Sequence, residues 1–279
     1  MTMLIADAGS TKTDWRLVGA GEGRSFATGG LNPHHLCEAA LRRELRLAAE
    51  AVGGVPVETI RFYGSGCTPD KAPLMAGLLT EVFGIEDVEV QSDMVGAARA
   101  VAGDAEALVG ILGTGSNLCY WDGHSTHPSV ASLGYLLGDE GSGAYIGKQL
   151  LRMALREELP PALQAAFAAQ TGLTLSEALH HAYEERGAGA WLASLVPFCV
   201  RHRQHSTIQH LLQQSFAAFL AAHCRMIQPH AQLPIHFVGS IAWQFADELR
   251  AQLRGRQLCA GRFLKAPIEG LEAYYAGED

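Results

Sequence analysis

LIADAGSTKTDWRL, residues 4–17, is an apolar run that stops at small hydroxyl residues and then resumes with apolar side chains in alternation. The stretch VGILGTGSNLCYW, residues 109–121, repeats this arrangement. Each stretch predicts two strands joined by a turn of Gly, Ser and Thr. Two turns of this size indicate one nucleotide held between two similar half-domains.

The composition of the two turns suits phosphate groups, because glycines leave backbone N–H groups unobstructed and hydroxyl groups add further donors. The donors are Gly9, Ser10, Thr11 and Lys12 in the first turn, and Gly113, Thr114, Gly115, Ser116 and Asn117 in the second. A plain β-hairpin with a tight glycine turn would explain either copy alone. The occurrence of both copies in one chain favours the phosphate interpretation.

An acidic residue, Asp7, precedes the first turn, and the second turn has no counterpart. A carboxylate beside a phosphate would repel it unless a divalent cation lay between them. Asp7 is therefore predicted to bind Mg²⁺, directly or through water. Lys12 would add a fixed positive charge near the terminal phosphates.

The size and charge of the chain restrict its organisation and its partners. A length of 279 residues suits two domains. A formal net charge of −8 argues against nucleic acid or an anionic membrane as the main partner. No apolar run has the length of a membrane span, and the sequence enters a strand at once, so a cytoplasmic protein is expected. A boundary within residues 103–106 predicts domains 1–105 and 106–279.

The first hundred residues alternate between strands and helices, which predicts an α/β fold. In this region the predicted strands are 4–5, 15–18, 60–63 and 88–90, and the predicted helices are 36–51 and 94–102. Near the end of the sequence a strand at 235–238 and helices at 244–253 and 268–275 are predicted. Residues 140–226 are expected to be mostly helical, with breaks at Pro160, Pro161 and Pro197.

The cysteines and histidines form no metal-ligand pattern. The six cysteines are scattered singly and are expected to be buried free thiols. Neither an HExxH motif nor a cysteine or carboxylate at ligand spacing accompanies the twelve histidines. All of them except His34 are expected to be solvated or to cap helices.

Asp93 follows a predicted strand and opens a predicted helix, which places it where open α/β sheets bind ligands. It could act as a general base for a hydroxyl that attacks a γ-phosphate. Equally, Ser92 or Asp93 could simply cap the helix. The sequence leaves both interpretations open.

Three further segments are candidate ligand contacts. In GYLLGDEGSGAYIG, residues 134–147, Asp139 and Glu140 lie between glycines; the pair could complement a helix dipole, but it suits the vicinal hydroxyls of a sugar better. Asn32 follows a glycine pair and is either an Asx turn or a contact for a neutral substrate. In FVGSIAW, residues 237–243, Gly239 and Ser240 allow either close backbone packing or a base or ribose against the backbone.

Five ordered motifs in the chain resemble those of the actin-like ATPase fold that sugar kinases share with actin. They are DAGSTKTD at 7–14, SDMVGAARA at 92–100, ILGTGSN at 111–117, LGDEGSG at 137–143 and VGSIA at 238–242. More narrowly, the chain resembles the N-acetylglucosamine kinase group and the related BadF/BadG/BcrA/BcrD ATPase family.

The resemblance implies two ribonuclease H-like domains that close over ATP and a sugar. The first would carry the first phosphate loop, and the second would carry the other phosphate loop, a helical insertion and the nucleoside loop. By that resemblance Asp7 would coordinate Mg²⁺ and Asp93 would be the catalytic base. Ser10, Thr11, Lys12 and Thr114 would contact the phosphates, Gly239 and Ser240 the nucleoside, and Asn32, Asn117 and Asp139 the sugar. A homodimer is also suggested.

The implied activity is ATP-dependent phosphorylation of an amino sugar. The expected acceptor is the 6-hydroxyl of N-acetylglucosamine, and glucosamine and N-acetylmuramic acid are the next candidate substrates. Pro33 and His34 stand where related kinases carry an aromatic residue, and Tyr135, a further candidate sugar contact, stands where Trp or His is more usual. Both departures fall on the sugar side of the site.

Two other classes of function compete with the kinase. A BadF-type ATPase that activates a protein partner would carry a cysteine before its second phosphate loop, where this chain has Gly110, Ile111 and Leu112. A sugar sensor without catalysis would carry a DNA-binding module, and none is expected ahead of the first strand. The presence of both Asp7 and Asp93 favours catalysis.

Overall fold

The computed structural model describes residues 2–19 and 23–277, which form two compact units. Unit 1 comprises Met1–Glu106, Trp121–Thr126 and Ala266–Asp279, and unit 2 comprises Ala107–Tyr120 and His127–Lys265. Each unit contains helices and a five-stranded sheet, so the predicted α/β class is confirmed. The chain passes from one unit to the other more than once. In the predicted division after residue 105 it would pass from the first domain to the second only once.

The strands are β1 (Met3–Ala8), β2 (Lys12–Val18), β3 (Arg24–Gly29), β4 (Thr59–Gly64), β5 (Val88–Ser92), β6 (Ala107–Leu112), β7 (Ser116–Trp121), β8 (Thr126–Pro128), β9 (Ile235–Val238) and β10 (Ala260–Leu264). The helices are α1 (Glu38–Val52), α2 (Ala72–Phe83), α3 (Asp93–Ala102), α4 (Gly134–Leu137), α5 (Gly143–Leu155), α6 (Pro161–Thr171), α7 (Leu175–Tyr183), α8 (Ala188–Ala193), α9 (Val196–Arg201), α10 (Ser206–Ala222), α11 (Cys224–Ile227), α12 (Ser240–Gln244), α13 (Ala246–Arg254) and α14 (Pro267–Ala276).

The sheet of unit 1 has the order β3-β2-β1-β4-β5. Strands β1, β2 and β3 form an antiparallel meander, which confirms the hairpin predicted from residues 4–17. Strands β1, β4 and β5 run parallel. Because the carboxyl ends of parallel strands meet at one edge, residues that follow these three strands lie close together.

Trp15 of β2 anchors the meander to the core of unit 1. Side chains of β2 alternate between buried and partly exposed, as a strand with one buried face requires. The Trp15 ring is 1% exposed and stacks on Phe26 at 5.9 Å between ring centroids. Its indole N–H donates to Thr28 Oγ1 over 2.9 Å. The same core takes in the buried faces of α1 and α2.

Helix α3 of unit 1 packs closely against β4 and against α14, in each case at a glycine position. A Cβ on Gly96 of α3 would stand 2.7 Å from the Cβ of Tyr63, and a Cβ on Gly270 of α14 would overlap the backbone oxygen of Ala100. The hydroxyl of Tyr63 also accepts a hydrogen bond from Arg99 over 2.6 Å. These close approaches fix α3, the helix that begins with Asp93.

The sheet of unit 2 has the order β10-β9-β6-β7-β8, and β6, β9 and β10 are parallel. Strand β9 has the predicted bounds. The expected helical region is also observed, because α5–α11 run from Gly143 to Ile227. Pro161 and Pro197 stand in the first turns of α6 and α9, where the missing N–H costs no helical hydrogen bond.

Two sequence expectations need correction. All six cysteines are free, as expected, but Cys37, Cys224 and Cys259 are exposed rather than buried. The histidines are not uniformly solvated or capping. His205 does cap α10, whereas His223 and His236 are buried, at 4% and 9% exposure.

Among the described residues, no helix combines the length and apolar character that crossing a membrane would require.

Candidate functional site

Asp7 and Asp93 lie at the carboxyl edge of the unit 1 sheet. Asp7 is the penultimate residue of β1 and pairs with Tyr63 of β4. Gly64 of β4 pairs with Ser92, the last residue of β5, and Asp93 follows directly. The parallel register of three strands therefore brings together two carboxylates that are 86 positions apart in the sequence.

The surroundings of Asp7 oppose its ionisation. Burial, the largest cause, together with the nearby charges of Asp93 and Asp14 raises the pKa of Asp7 to about 7, while Lys12 acts in the opposite direction. A positive charge close to this carboxylate would favour its ionised form. Lys12 cannot fill that role alone, because its Nζ lies 2.6 Å from Asp14 Oδ1 in an ion pair.

The helix cap in front of α3 is formed by Ser92, so Asp93 is not needed for that purpose. The Ser92 hydroxyl accepts a hydrogen bond from Val95 N–H over 3.4 Å. Burial raises the pKa of Asp93, and hydrogen bonds from the Met94 backbone and the Ser65 side chain lower it. Asp93 is thus a partly buried carboxylate at the sheet edge, and it accepts a hydrogen bond from the Met94 N–H in the first turn of α3, whereas Ser92 forms the N-terminal cap.

The first predicted phosphate turn presents unused donors. Gly9 N–H donates to the Lys12 carbonyl over 2.9 Å and closes the turn. Ser10, Thr11 and Lys12 are exposed. Among the described residues, none accepts a hydrogen bond from the backbone N–H of Ser10 or Thr11. Two adjacent N–H groups at the end of a strand are thus left as donors for an anionic ligand.

Asn32 is tied to this turn and is 5% exposed. Its Nδ2 donates to Ser10 Oγ over 2.9 Å, and its Oδ1 accepts from His34 N–H over 2.9 Å. The second bond is the Asx turn expected from the sequence. A Cβ on Gly30 would overlap the Ser10 carbonyl, so the segment before Asn32 lies directly against the turn.

Sequence reasoning missed the loop after β4, which carries Ser65 and Gly66. Ser65 reaches Asp93, and its N–H donates to the Ala8 carbonyl over 2.8 Å. Gly66 has φ of +78°, and a Cβ there would overlap Asn32 Oδ1. The available signal was G-S-G directly after a predicted parallel strand, at the edge where α/β sheets bind ligands.

The second predicted phosphate turn lies against the start of α5. Gly143 N–H donates to the Gly113 carbonyl over 2.8 Å, and Ala144 N–H donates to the Thr114 carbonyl over 3.0 Å. These bonds fix the carbonyls of the turn on the helix. As in unit 1, no described residue accepts from the N–H groups of Thr114 and Gly115. Both turns therefore offer the same kind of anion site.

Asp139 is held beneath the second turn. Its Oδ1 accepts from Ser116 N–H over 3.3 Å, and a Cβ on Gly115 would stand 3.0 Å from its Oδ2. The backbone at Asp139 is left-handed, with φ of +56°, a strained conformation for a residue other than glycine. Burial raises the pKa of Asp139, and the charge of Glu140 raises it further, although the Ser116 bond opposes both.

A cavity of about 240 Å³ in unit 2 includes two of the predicted sugar contacts. Its polar lining is formed by Ser116, Asn117, Ser132, Asp139, Glu140 and His223. Its volume lies below the roughly 300 to 1,000 Å³ of pockets for drug-sized ligands, which suits a ligand the size of a monosaccharide. Tyr135 does not line this cavity. Its ring lies against Gly189, and its carbonyl accepts a hydrogen bond from Lys148 Nζ over 2.8 Å.

Gly239, the predicted nucleoside contact, packs tightly on the second turn. Its φ is +117°, and a Cβ there would overlap the Leu112 carbonyl and stand 3.2 Å from the Gly113 nitrogen. Close packing alone therefore requires glycine at this position. Ser240, the next residue, is exposed at the first turn of α12.

The predicted site residues thus form two groups, one in each unit. Unit 1 brings together Asp7, Gly9, Ser10, Thr11, Lys12, Asn32 and Asp93. Unit 2 brings Gly113, Thr114 and Gly115 together with Gly239 and Ser240 on one side and with Asn117 and Asp139 on the other.

One solved structure similar to this chain is that of a candidate N-acetylglucosamine kinase from Porphyromonas gingivalis. The two proteins are 37% identical over 99% of both chains, with a TM-score of 0.94. This chain belongs to the N-acetylglucosamine kinase-like family of actin-like ATPases.

Other solved structures share the fold of this N-acetylglucosamine kinase-like protein. A candidate N-acetylglucosamine kinase from Chromobacterium violaceum is 21% identical over 98% of both chains, with a TM-score of 0.72. A ROK-family glucokinase from Streptomyces griseus, solved with glucose and AMPPNP, is 15% identical over 98% of both chains, with a TM-score of 0.60. Neither protein-family models nor curated proteins give a match to the sequence.

Proposed function

We propose that this protein is an ATP-dependent kinase that transfers the γ-phosphoryl group to an amino sugar, with the 6-hydroxyl of N-acetylglucosamine as the acceptor. Membership of the N-acetylglucosamine kinase-like family supports a sugar kinase, and the relative from Porphyromonas gingivalis supports N-acetylglucosamine in particular. The observation that carries the proposal is the placement of Asp93 beside Asp7 at the ligand-binding edge of the sheet, with Ser92 forming the helix cap.

The two turns would bind the phosphates of ATP. In the first turn the free N–H groups of Ser10 and Thr11, and in the second turn those of Thr114 and Gly115, are short-range donors for phosphate oxygens. Lys12 adds a positive charge at the first turn. Gly239 and Ser240, packed on the second turn, would contact the nucleoside.

Asp7 fits Mg²⁺, because its partly buried carboxylate has negative neighbours and no described residue supplies it with a free cationic partner. Among the described residues, no cluster of three or more His, Cys, Asp or Glu side chains could hold a metal. One or two carboxylates together with substrate phosphates and water are the usual ligands of Mg²⁺ in such sites. The bound ion would offset the negative charge that gathers between the phosphates and the carboxylates.

Asp93 would act as the general base. The sugar hydroxyl oxygen forms a bond to the γ-phosphorus while the bond from that phosphorus to the β–γ bridging oxygen breaks, and ADP leaves. The hydroxyl proton passes to the Asp93 carboxylate. Burial raises the pKa of Asp93 and so brings its basicity closer to that required near neutral pH, while Ser65 keeps the carboxylate oriented.

Three polar side chains, Asn32, Asn117 and Asp139, would contact the sugar. Asn32, fixed by Ser10 and His34, presents an amide in unit 1. Asn117 and Asp139 line the cavity of unit 2, and an ionised Asp139 could accept hydrogen bonds from two neighbouring hydroxyls. We assign Tyr135 a place at the margin of this site rather than in the cavity.

The experiment that tests this function measures ADP release from Mg²⁺-ATP in the presence of single sugars. N-acetylglucosamine, glucosamine, N-acetylmuramic acid, N-acetylmannosamine and glucose form the panel, with a reaction without sugar as control. Strong stimulation by N-acetylglucosamine is expected, and the product should carry phosphate at O6. ADP release that is independent of sugar would favour an ATPase that acts on a protein partner, and no release would favour a sensor.

A further inference from the structure

We propose that the cavity of unit 2 selects acceptors without negative charge, and that His223 is a specificity-determining residue that contacts the acceptor through Nε2. This inference rests on the proposed sugar kinase function and extends it to a class of acceptor and to a residue that no sequence motif indicated. Two features of the cavity support it: the charge of its lining and the fixed orientation of one buried imidazole.

The charged side chains that line the cavity are both acidic. Asp139 and Glu140 contribute carboxylates, and none of the lining residues is Lys or Arg. Lys148 is close enough to lower the pKa of Asp139, but its Nζ is held by the Tyr135 carbonyl and it does not line the cavity. A ligand with a carboxylate would therefore lose water without gaining a cationic partner.

The His223 imidazole is buried and held in one orientation. The residue is 4% exposed, and its Nδ1 lies 2.9 Å from Ser129 Oγ. The ring of Phe219 packs beside it, at 4.6 Å between centroids. Because Nδ1 is engaged by Ser129, Nε2 is the ring nitrogen left for a ligand in the cavity. Among the described residues, no hydrogen-bond partner of Nε2 is found.

The imidazole adds no positive charge to the cavity. Burial lowers the pKa of His223 to about 4, so the ring is neutral near pH 7. A neutral imidazole has one donor and one acceptor nitrogen, and a sugar hydroxyl can match either. His223 can thus bind a hydroxyl or an amide but cannot neutralise an acid.

The remaining lining suits an uncharged substituent. Val130, Leu133 and Ala222 supply apolar surface next to the carboxylates. Leu133 is 58% exposed and Val130 39%, so a ligand that covered them would remove apolar area from water. The cavity therefore combines polar contacts for hydroxyls with an apolar wall for a group such as an acetyl methyl.

The contact through Nε2 is tested with two substitutions of His223 that retain different nitrogen positions. In His223→Asn, the amide can still reach Ser129 at the position of Nδ1, but the atom at Nε2 is lost. In His223→Gln, the longer side chain can place its amide near the position of Nε2. We expect the KM for N-acetylglucosamine to rise about threefold to tenfold in His223→Asn and less in His223→Gln, with the KM for ATP little changed.

The reverse order, with His223→Asn close to wild type and His223→Gln impaired, would show that His223 serves only to hold Ser129 and would overturn the contact. His236→Gln is the matched control. His236 is a second buried imidazole of unit 2, it accepts from Arg262 N–H over 2.8 Å, and it does not line the cavity. Its substitution should leave the KM for the sugar unchanged.

Charge selection is tested with N-acetylmuramic acid and its methyl ester, which have nearly the same size and differ in charge. The ester should have a KM at least threefold lower than the acid, and Glu140→Gln should reduce that ratio. Equal KM values for acid and ester would overturn the charge argument. Binding of both sugars is also followed by ligand-observed NMR without ATP, which tests the cavity independently of catalysis. If no sugar supports ADP release, the kinase proposal is refuted, but the NMR experiment still tests the charge selection of the cavity.

Discussion

Asp7 and Asp93 lie at the carboxyl edge of one sheet, at the ends of the two strands that flank β4, and the charge of Asp93 helps to raise the pKa of Asp7. Two partly buried carboxylates that interact in this way destabilise each other when both are ionised. Such an arrangement is expected at functional sites rather than in a structural core. It places a candidate metal ligand and a candidate base at the same edge of one sheet, as phosphoryl transfer to a hydroxyl requires.

The first prediction concerns the stability of the ligand-free protein. The pKa of Asp7 is about 7 in the folded protein, whereas its ordinary value in an unfolded chain is 3.8. Between these values the folded state binds more protons than the unfolded state, so stability falls as the pH rises from about 4 to about 7. Asp7→Asn, which cannot ionise, should remove this loss.

Urea unfolding in EDTA at several pH values measures the effect. Asp7→Asn should match wild type near pH 4 and be more stable at pH 8, by up to roughly 4 kcal/mol, since each pKa unit corresponds to about 1.4 kcal/mol. The gain should be accompanied by weaker binding of Mg²⁺-ATP. A variant that is less stable than wild type at pH 8 would contradict the assigned environment of Asp7.

The second prediction concerns the bond between Asn32 and Ser10, which joins the proposed sugar and phosphate contacts of unit 1. Asn32→Ala should raise the KM values for both ATP and sugar, because the turn loses the side chain that holds Ser10. Ser10→Ala should raise mainly the KM for ATP. Steady-state kinetics of the single variants and the double variant test the coupling between the two residues.

If the bond acts as described, the effects of the two substitutions on kcat/KM for ATP are not additive, and a coupling of at least about 0.5 kcal/mol is expected. Additive effects would show that Asn32 and Ser10 act independently. Far-UV circular dichroism of each variant serves as the folding control.

The third prediction concerns Gly239. Alanine there would have to adopt φ of +117° and overlap the Leu112 carbonyl, so Gly239→Ala should lower the free energy of unfolding by about 3 kcal/mol or more. Gly172→Ala is the matched control. Gly172 also has positive φ, but its Cβ would meet nothing within 4 Å, and a cost of about 1 kcal/mol is expected. Similar losses in both variants, measured by urea unfolding, would contradict the tight packing at Gly239.

The sequence predicted those parts of the fold that depend on local pattern. The hairpin of β1 and β2 and the bounds of β9 follow from short apolar runs with turn residues beside them. Strand β3 was missed because its side chains are exposed or only partly buried, without clear alternation. Its position is set by pairing with β2, which a local pattern does not reveal.

In the candidate functional site, too, the sequence indicated the residues that belong to local motifs and missed those that depend on distant contacts. Strand-end motifs indicated Asp7 and Asp93, and the structure brings them together within unit 1. Ser65 and His223 were not indicated, because their roles depend on neighbours distant in sequence: Ser65 reaches Asp93, and His223 is oriented by Ser129. Contacts between residues that far apart arise from strand register and helix packing, which single residues in a sequence do not encode.

The central claim, that Asp93 is the base of a sugar kinase, is tested most directly by the rate of sugar-dependent ADP release in Asp93→Asn. The amide retains the shape of the carboxylate but cannot accept the hydroxyl proton, and we expect kcat to fall about 10²-fold to 10⁴-fold. Affinity for Mg²⁺-ATP, measured by calorimetry, should stay within about threefold of wild type. Ser92→Ala removes the neighbouring cap and should cost about 1 kcal/mol of stability while sugar-dependent turnover continues. Undiminished turnover in Asp93→Asn would contradict the account.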